Sequence, residues 1–347
     1  MRRLPLLIGA IGVVLALVAI GLVAGVVLRP HRHSALVLWC GVPGCRQVAA
    51  AFTRQTGTKV RAVPVPDAAF AAAIAGGGHP PFSLAWLRGA TAAVALDRRG
   101  LLAHGLAAPA GLAGQGNGLM PGDGAYVPTG ITLAGVFVAA ASPLLTMPTR
   151  WSDLTRPAYR GAVGMADPAL SNLGYEALAG MIEAAGGWPA GKSFVTRLTA
   201  DGLRLYRSDA DVLSALRSGA IKVAIVPAAT AFRYRAGVDH TLRIVVPRPA
   251  YRAAEVIAMA KGLSGRTAQA ARRFVAFAAS PPALTVRLAH GDAAWPVVEA
   301  APRKAPRIQG LPSRKTLDIA PLDPDIWGAR RHAVLAWFER SIAGNGP

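Results

Sequence analysis

Ser171 and Asn172 are the residues whose types and placement bear most directly on chemistry. Both carry short polar side chains suited to capping a helix. They precede a run in which Leu178, Met181 and Ile182 recur at helical spacing, until Gly186-Gly187 stops it. Just upstream, Ala162–Ala166 is small and apolar enough for a strand buried on both faces, and Asp167-Pro168 ends it. A helix beginning at a strand's carboxyl end points free N–H groups and the positive end of its dipole into the crevice beyond, so this order predicts an anion position. Ser171 itself reads either as a cap alone or as a cap that also meets the ligand. Thr230 ends Pro227–Thr230, which follows the β-rich stretch Lys222–Val226 and so falls at another strand's carboxyl end. Thr129, after Pro128 in the Gly- and Pro-rich stretch Gly111–Gly130, reads as a loop donor or as a hinge.

Enzymatic patterns are missing. The chain has no G-x-S-x-G elbow, no H-E-x-x-H and no glycine-rich phosphate loop with lysine, and His79, His104, His240 and His290 stand isolated. No catalytic residue, cofactor or metal is therefore expected. Two cysteines, Cys40 and Cys45, cannot build a structural zinc site alone. The formal net charge of +20 is high, but the basic residues are scattered and no nucleic-acid module is legible. What remains is a basic surface or an anionic partner.

Residues Leu4–Leu28 contain no charge and are long enough to cross a bilayer as a helix. The run exceeds the ~7–15 residues usual for a signal-peptide core, which favours an uncleaved anchor over a cleaved signal. The roughly 315 residues that follow exceed what one core usually serves, so two lobes are expected. Strand and helix alternate from Leu36–Trp39 onward: helix Val48–Arg54 with Gly57 as its stop, strand Lys59–Val65, helix Asp67–Ile74, strand Pro81–Trp86. Ser208–Asp211 opens a later helix with a capping pattern, Thr267–Ala279 reads as a helix closed by Ser280-Pro281-Pro282, Ala300–Lys315 as a Pro- and base-rich link, and Asp323–Ile342 as a terminal amphipathic helix.

The segment Trp151–Tyr175, with its W-x-D-L, P-x-Y-x-G and S-x-x-G-Y elements, resembles the iron(III)/2-aminoethylphosphonate-type periplasmic solute-binding proteins of ABC importers. Weaker agreement in the same order covers Leu36–Trp39, Ala50–Gly57, Arg99–Leu102, Arg217–Ile225 and Ala271–Ser280. The resemblance implies an α/β, two-lobed type II periplasmic binding protein fold behind an N-terminal transmembrane or signal helix. The expected units are residues 1–33 as signal or anchor, 34–130 plus 246–347 as a first lobe with the C-terminal helix, and 131–245 as a second. It also implies a monomer that captures a small solute and docks on an inner-membrane ABC permease, with the inner membrane reached through the N-terminal segment and no nucleic acid bound. Iron-binding relatives place a tyrosine pair where this chain has Ala229-Thr230, so iron(III) is disfavoured and an anionic, phosphonate- or phosphate-ester-like solute is expected. The expected ligand set is Gly41, Trp86, Thr129, Ser171, Asn172, Thr230 and Tyr251. Trp86 reads as a cleft wall or as core. Tyr251 stands where relatives often carry an acid-glycine pair, which disfavours a cationic ligand. The apolar Leu173, Ala228 and Ala229 suit a hydrophobic body instead, and that alternative stays open. In an oxidising periplasm Cys40 and Cys45 are expected to pair and stiffen the loop after the first strand. The competing expectation is an anchored homologue that kept the fold as a sensory or interaction module.

Overall fold

Short strands with apolar residues at every position need cover on both faces, and the chain supplies it by alternating strand with helix. The computed structural model describes residues 35–76, 78–112, 118–141, 146–292, 295–298 and 310–343. The apolar N-terminal run expected over 1–33 lies outside them, as does Ala300–Gln309 of the basic link. Among the described residues no helix is long and apolar enough to cross a membrane.

In chain order the elements are β1 (Leu36–Cys40), α1 (Cys45–Thr56), β2 (Val60–Pro64), α2 (Asp67–Gly76), β3 (Leu84–Arg88), α3 (Ala90–Arg98), β4 (Tyr126–Leu133) and β5 (Val136–Ala139). There follow β6 (Val163–Ala166), α4 (Asn172–Ala184), α5 (Lys192–Ala200), β7 (Arg204–Tyr206), α6 (Asp209–Arg217), β8 (Val223–Val226), α7 (Ala228–Gly237) and β9 (Arg243–Val245). The chain then returns through β10 (Ala250–Met259), α8 (Gly265–Ala278), α9 (Pro281–Ala289), β11 (Ile319–Ala320) and α10 (Pro324–Ala343). One sheet runs β11-β10-β3-β1-β2, with β4 also on β10; the other runs β7-β6-β8-β5-β9. Strand β1 lies parallel to β2 and β3, whereas β10 is antiparallel to β3 and β4. The first sheet thus uses chain from both sides of the second. Its strand β4 continues to Leu133, three residues into the stretch expected for the second lobe.

Side chains alternate between two cores in each lobe. On β3, Leu84 and Trp86 join Leu38, Phe52 and Phe274, while Ala85 and Leu87 join Phe70, Leu96 and Val256. On β8, Val223 and Ile225 face Leu178 and Ile182, while Ala224 and Val226 face Val212 and Leu216. Gly57 ends α1 with φ 72°, its N–H donating to Thr53 O, a stop that its glycine foreshadows.

Three local expectations are corrected. Gly111–Gly130 is not loop throughout, because β4 begins at Tyr126 and pairs with β10 across Thr129 and its neighbours. Pro128 has no N–H for that ladder, and the register steps from Val256↔Pro128 to Glu255↔Gly130, leaving Thr129 bulged out of the pairing. Ser280-Pro281-Pro282 starts α9 rather than only closing α8, since proline in a helix's first turn loses no hydrogen bond. Strand β3 starts three residues and ends two residues later than Pro81–Trp86, which puts Arg88 at its carboxyl end.

Helix α10 packs on α3 and reaches the second lobe as well, where Tyr175 Oη donates to Trp327 O (2.7 Å) and Trp327 Nε1 donates to Glu183 Oε1 (2.9 Å). It comes close at Gly328, where an added Cβ would lie 2.5 Å from Val94 Cβ and 3.0 Å from Thr91 O. Gly328→Ala should therefore push α10 off α3 and lower unfolding free energy by about 1–3 kcal/mol, measured by denaturant titration. An unchanged midpoint would mean that this contact is not close-packed.

Candidate functional site

Helix N-termini leave backbone N–H groups without intrahelical partners, and several converge where the two sheets' strand ends meet. Ser171 caps α4, its Oγ accepting from Gly174 N at 3.0 Å. The N–H of Asn172, the helix's first residue, donates to Asp67 Oδ2 at 2.9 Å, a carboxylate on the first residue of α2 in the other lobe. A second carboxylate crosses in the opposite direction. Helix α3 starts behind Gly89, which has no side chain to cap it, and Glu176 Oε1 of α4 accepts from both Thr91 N (3.1 Å) and Thr91 Oγ1 (3.0 Å). Each lobe thus caps a helix of the other.

Arg88 lies between the lobes. Its guanidinium stands 3.9 Å from Asp67 and 3.7 Å from Asp209, and the side chain is 25% exposed. Burial disfavours its charge, but the carboxylates of Asp67, Asp209 and Asp292 outweigh that and hold its pKa above the usual value. Asp209 opens α6, and its carboxylate also accepts from Thr230 Oγ1 at 3.3 Å. Burial raises the Asp209 pKa against the pull of Arg88. Arg233, on α7, donates to Gly291 O at 2.7 Å, and burial together with nearby Arg88 lowers its pKa. From the far side, Arg331 Nη2 of α10 donates to Asn172 Oδ1 at 3.1 Å. Asn172 Nδ2, Arg331 Nη1 and Glu176 Oε2 are buried polar atoms with no partner, although such groups are ordinarily satisfied.

Beneath this layer lies Arg287, fully buried, paired with Glu255 and Asp292 and donating through Nη1 to Thr129 O at 3.2 Å. Its guanidinium sits 5.0 Å from the centre of the Trp86 ring, and Trp86 Nε1 donates to Thr129 Oγ1 at 2.9 Å. The bulge at Thr129 is what frees this residue for both contacts.

The expected ligand residues divide accordingly. Asn172, Ser171 and Thr230 lie with Asp67, Arg88 and Asp209 at the lobe interface. Thr129 and Trp86 lie below it, and Trp86 has no exposure, so it is core rather than wall. Gly41 contributes backbone: its N–H donates to Trp86 O at 2.8 Å, and a Cβ would stand 2.9 Å from that same oxygen. Cys40 and Cys45 are bridged around it, with Cα atoms 5.8 Å apart. Tyr251 is not brought to the group. Its ring packs against Gly180, where a Cβ would lie 2.7 Å from Tyr251 Cδ2, and burial pushes its hydroxyl pKa up to about 12. Ala229 and Thr230 lie in the first turn of α7 with no tyrosine beside them, and Tyr234 follows on the same helix. Sequence reasoning missed Asp67, Arg88, Asp209, Glu176 and Arg331. A signal existed for the two aspartates, since both follow strands and open helices.

Burial pushes the Glu176 carboxyl up to about 7, against the hydrogen bonds from Thr91 and the charge of Arg331. A folded pKa above the unfolded one means that the native state binds the extra proton. Its contribution to stability is full below about pH 4.5 and is lost as pH rises through 7. Glu176→Gln keeps an acceptor for Thr91 and removes the titration. The variant should be more stable than the parent at pH 8 by on the order of 1–3 kcal/mol, with the gap closing by pH 5, as read from thermal unfolding across pH. A gap that does not change with pH would exclude Glu176 as the titrating group.

The sequence profile of the family described as bacterial extracellular solute-binding protein matches residues 44–291. No curated protein matches the chain by sequence. Among solved structures, the periplasmic binding protein P5PA superposes with a TM-score of 0.77 at 18% identity, covering 89% of this chain and 99% of that one. AfuA from Actinobacillus pleuropneumoniae, with fructose-6-phosphate bound, gives 0.74 at 18% identity, with 89% and 98% covered. Iron-bound HitA from Pseudomonas aeruginosa gives 0.72 at 20% identity, with 89% and 99% covered. These likenesses show the two-lobed type II periplasmic binding fold. With the family's profile matching well over half of its length, the chain belongs to the bacterial extracellular solute-binding proteins.

Proposed function

We propose that this protein captures a small anionic solute, phosphonate- or phosphate-ester-like, between its lobes and delivers it to an inner-membrane ABC permease, as a monomer held near that membrane by its N-terminal run. The observation that carries the reading is the facing of Arg88 and the α4 N-terminus across the lobe interface. A fixed guanidinium opposite oriented N–H groups stabilises an anion without proton transfer, and closing the lobes around it strengthens both contacts by excluding water. Thr230 and Ser171 supply hydroxyls at the edges of the same space. The chemistry is that of holding, and no nucleophile–base pair is needed for it.

Iron(III) fits poorly. Ferric iron favours hard phenolate and carboxylate oxygens, and α7 offers alanine and threonine where a tyrosine pair would be required. Titration with ferric citrate should give no phenolate charge-transfer band, and its appearance would overturn this exclusion.

One observation favours a second reading, an anchored homologue serving as a sensor or interaction module: the lobes already satisfy one another's helix termini through Asp67 and Glu176. Native mass spectrometry of the full chain purified from its own host separates the two. The solute reading expects an anionic adduct on the protein and its loss in Arg88→Ala, with affinity falling roughly 10–100-fold, as for a lost charge-assisted hydrogen bond. An adduct retained at full affinity by Arg88→Ala would move the site elsewhere, and consistently empty protein would favour the module.

A further inference from the structure

We infer that Asp67 is a built-in competitor for the anion position: its carboxylate takes the place of the solute's anionic group in the unloaded protein, and so sets the affinity an anion must exceed to enter. The inference rests on the anionic-solute reading above and narrows it to a class.

Asp67 meets three sources of positive potential at once. It accepts from Asn172 N at 2.9 Å, faces the Arg88 guanidinium at 3.9 Å and opens its own helix α2. Two of these belong to the first lobe and one to the second, so the same contact ties the lobes together. A carboxylate drawn from 105 positions away in sequence is doing there what an anionic ligand would do.

Asp67 does not satisfy the whole position. Asn172 is 1% exposed and its Nδ2 has no acceptor, while the Arg331 beside it is 4% exposed and its Nη1 has none either. These two groups adjoin one another through the Arg331 Nη2 bond to Asn172 Oδ1. Asn172 Nδ2 and Arg88 Nε, on the two residues that hold the Asp67 carboxylate, are buried donors without acceptors, and they call for more oxygen atoms than one carboxylate provides. A phosphonate or phosphate monoester has three acceptor oxygens on one centre and up to two negative charges, so it gains contacts that Asp67 leaves unmade. A monocarboxylate replaces Asp67 like for like and gains nothing. Asp67 therefore sets a threshold that an anion must exceed, which the extra contacts of a tetrahedral oxyanion meet and a simple carboxylate does not.

The test uses the full chain in detergent, titrated calorimetrically with methylphosphonate and with acetate, as parent and as Asp67→Ala. Methylphosphonate should bind the variant about ten-fold or more tighter than the parent, a gain of roughly 1.4 kcal/mol, and acetate should gain by the same factor, because displacing an internal competitor costs either ligand the same. Asp67→Asn keeps an acceptor for Asn172 N and removes only the charge; it should move in the same direction by less and serves if the alanine variant fails to fold. Hydrogen exchange without any solute gives a second readout at Thr91, whose N–H is capped by Glu176 rather than by Asp67. If Asp67 holds the lobes together, its loss should speed exchange there. Parent protein that binds methylphosphonate no less tightly than the variants overturns the competitor role alone, as does unaltered exchange at Thr91. Absence of binding by parent and variants alike defeats the anionic-solute reading itself.

Discussion

The guanidinium of Arg287 has no access to water, so its charge must be balanced where it lies, although its Nε is left without a partner. Glu255 and Asp292 supply the charge, Thr129 O takes a hydrogen bond, and the Trp86 ring covers one face. Those partners come from β10, the turn after α9, β4 and β3, so one side chain ties together strands that are distant in sequence. The β4 bulge and the bridged Cys40–Cys45 loop both meet it. Thr129 can reach Arg287 because it is out of register, and Gly44 can approach because it lacks a Cβ, which would lie 2.7 Å from Arg287 Cα. Removing one member of such a buried set leaves an unpaired charge, which typically costs about 3–5 kcal/mol.

Above that floor the lobes meet through polar contacts. Their strands end at the interface, which leaves helix N-termini pointing into it, and each terminus needs an acceptor. In this chain the acceptors are largely its own carboxylates, exchanged between lobes. Contacts of this kind are directional and individually modest, on the order of 1 kcal/mol net, so they can hold two bodies together and still yield to a ligand that does the same job better. Helix α10 adds a constraint of another kind. By packing on α3 while bonding to α4, it limits the directions in which the lobes can separate.

The charge pattern of the cleft has a consequence for ligand choice. An excess of basic residues over the whole chain says little about the cleft, since most of them are scattered and solvated. Within the interface, Arg88 and Arg233 are matched by Asp67 and Asp209, and the balance is close to neutral. The anion preference proposed for it therefore rests on geometry, with N–H groups and guanidinium oriented toward one space, and on the burial that makes that orientation count.

Much of the scaffold was legible in the sequence. Ser171 and Ser208 were readable as caps, Gly57 as a stop, and the buried strands Val163–Ala166 and Val223–Val226 as apolar runs, because each depends on residues within a few positions of one another. The family, too, was legible from Trp151–Tyr175, whose turn, strand and helix start are local. Tertiary structure decided the site. Only chain crossing brings Asp67 to Asn172, Glu176 to Thr91, and Arg331 to Asn172, across 105, 85 and 159 positions respectively. Tyr251 shows the converse, a residue suited to a cleft by type but turned onto Gly180 by its strand. Propensity and capping are set by neighbours in the chain, whereas a hydrogen-bond partner for a helix end is whatever side chain the packing of two sheets delivers, and no local pattern records that choice.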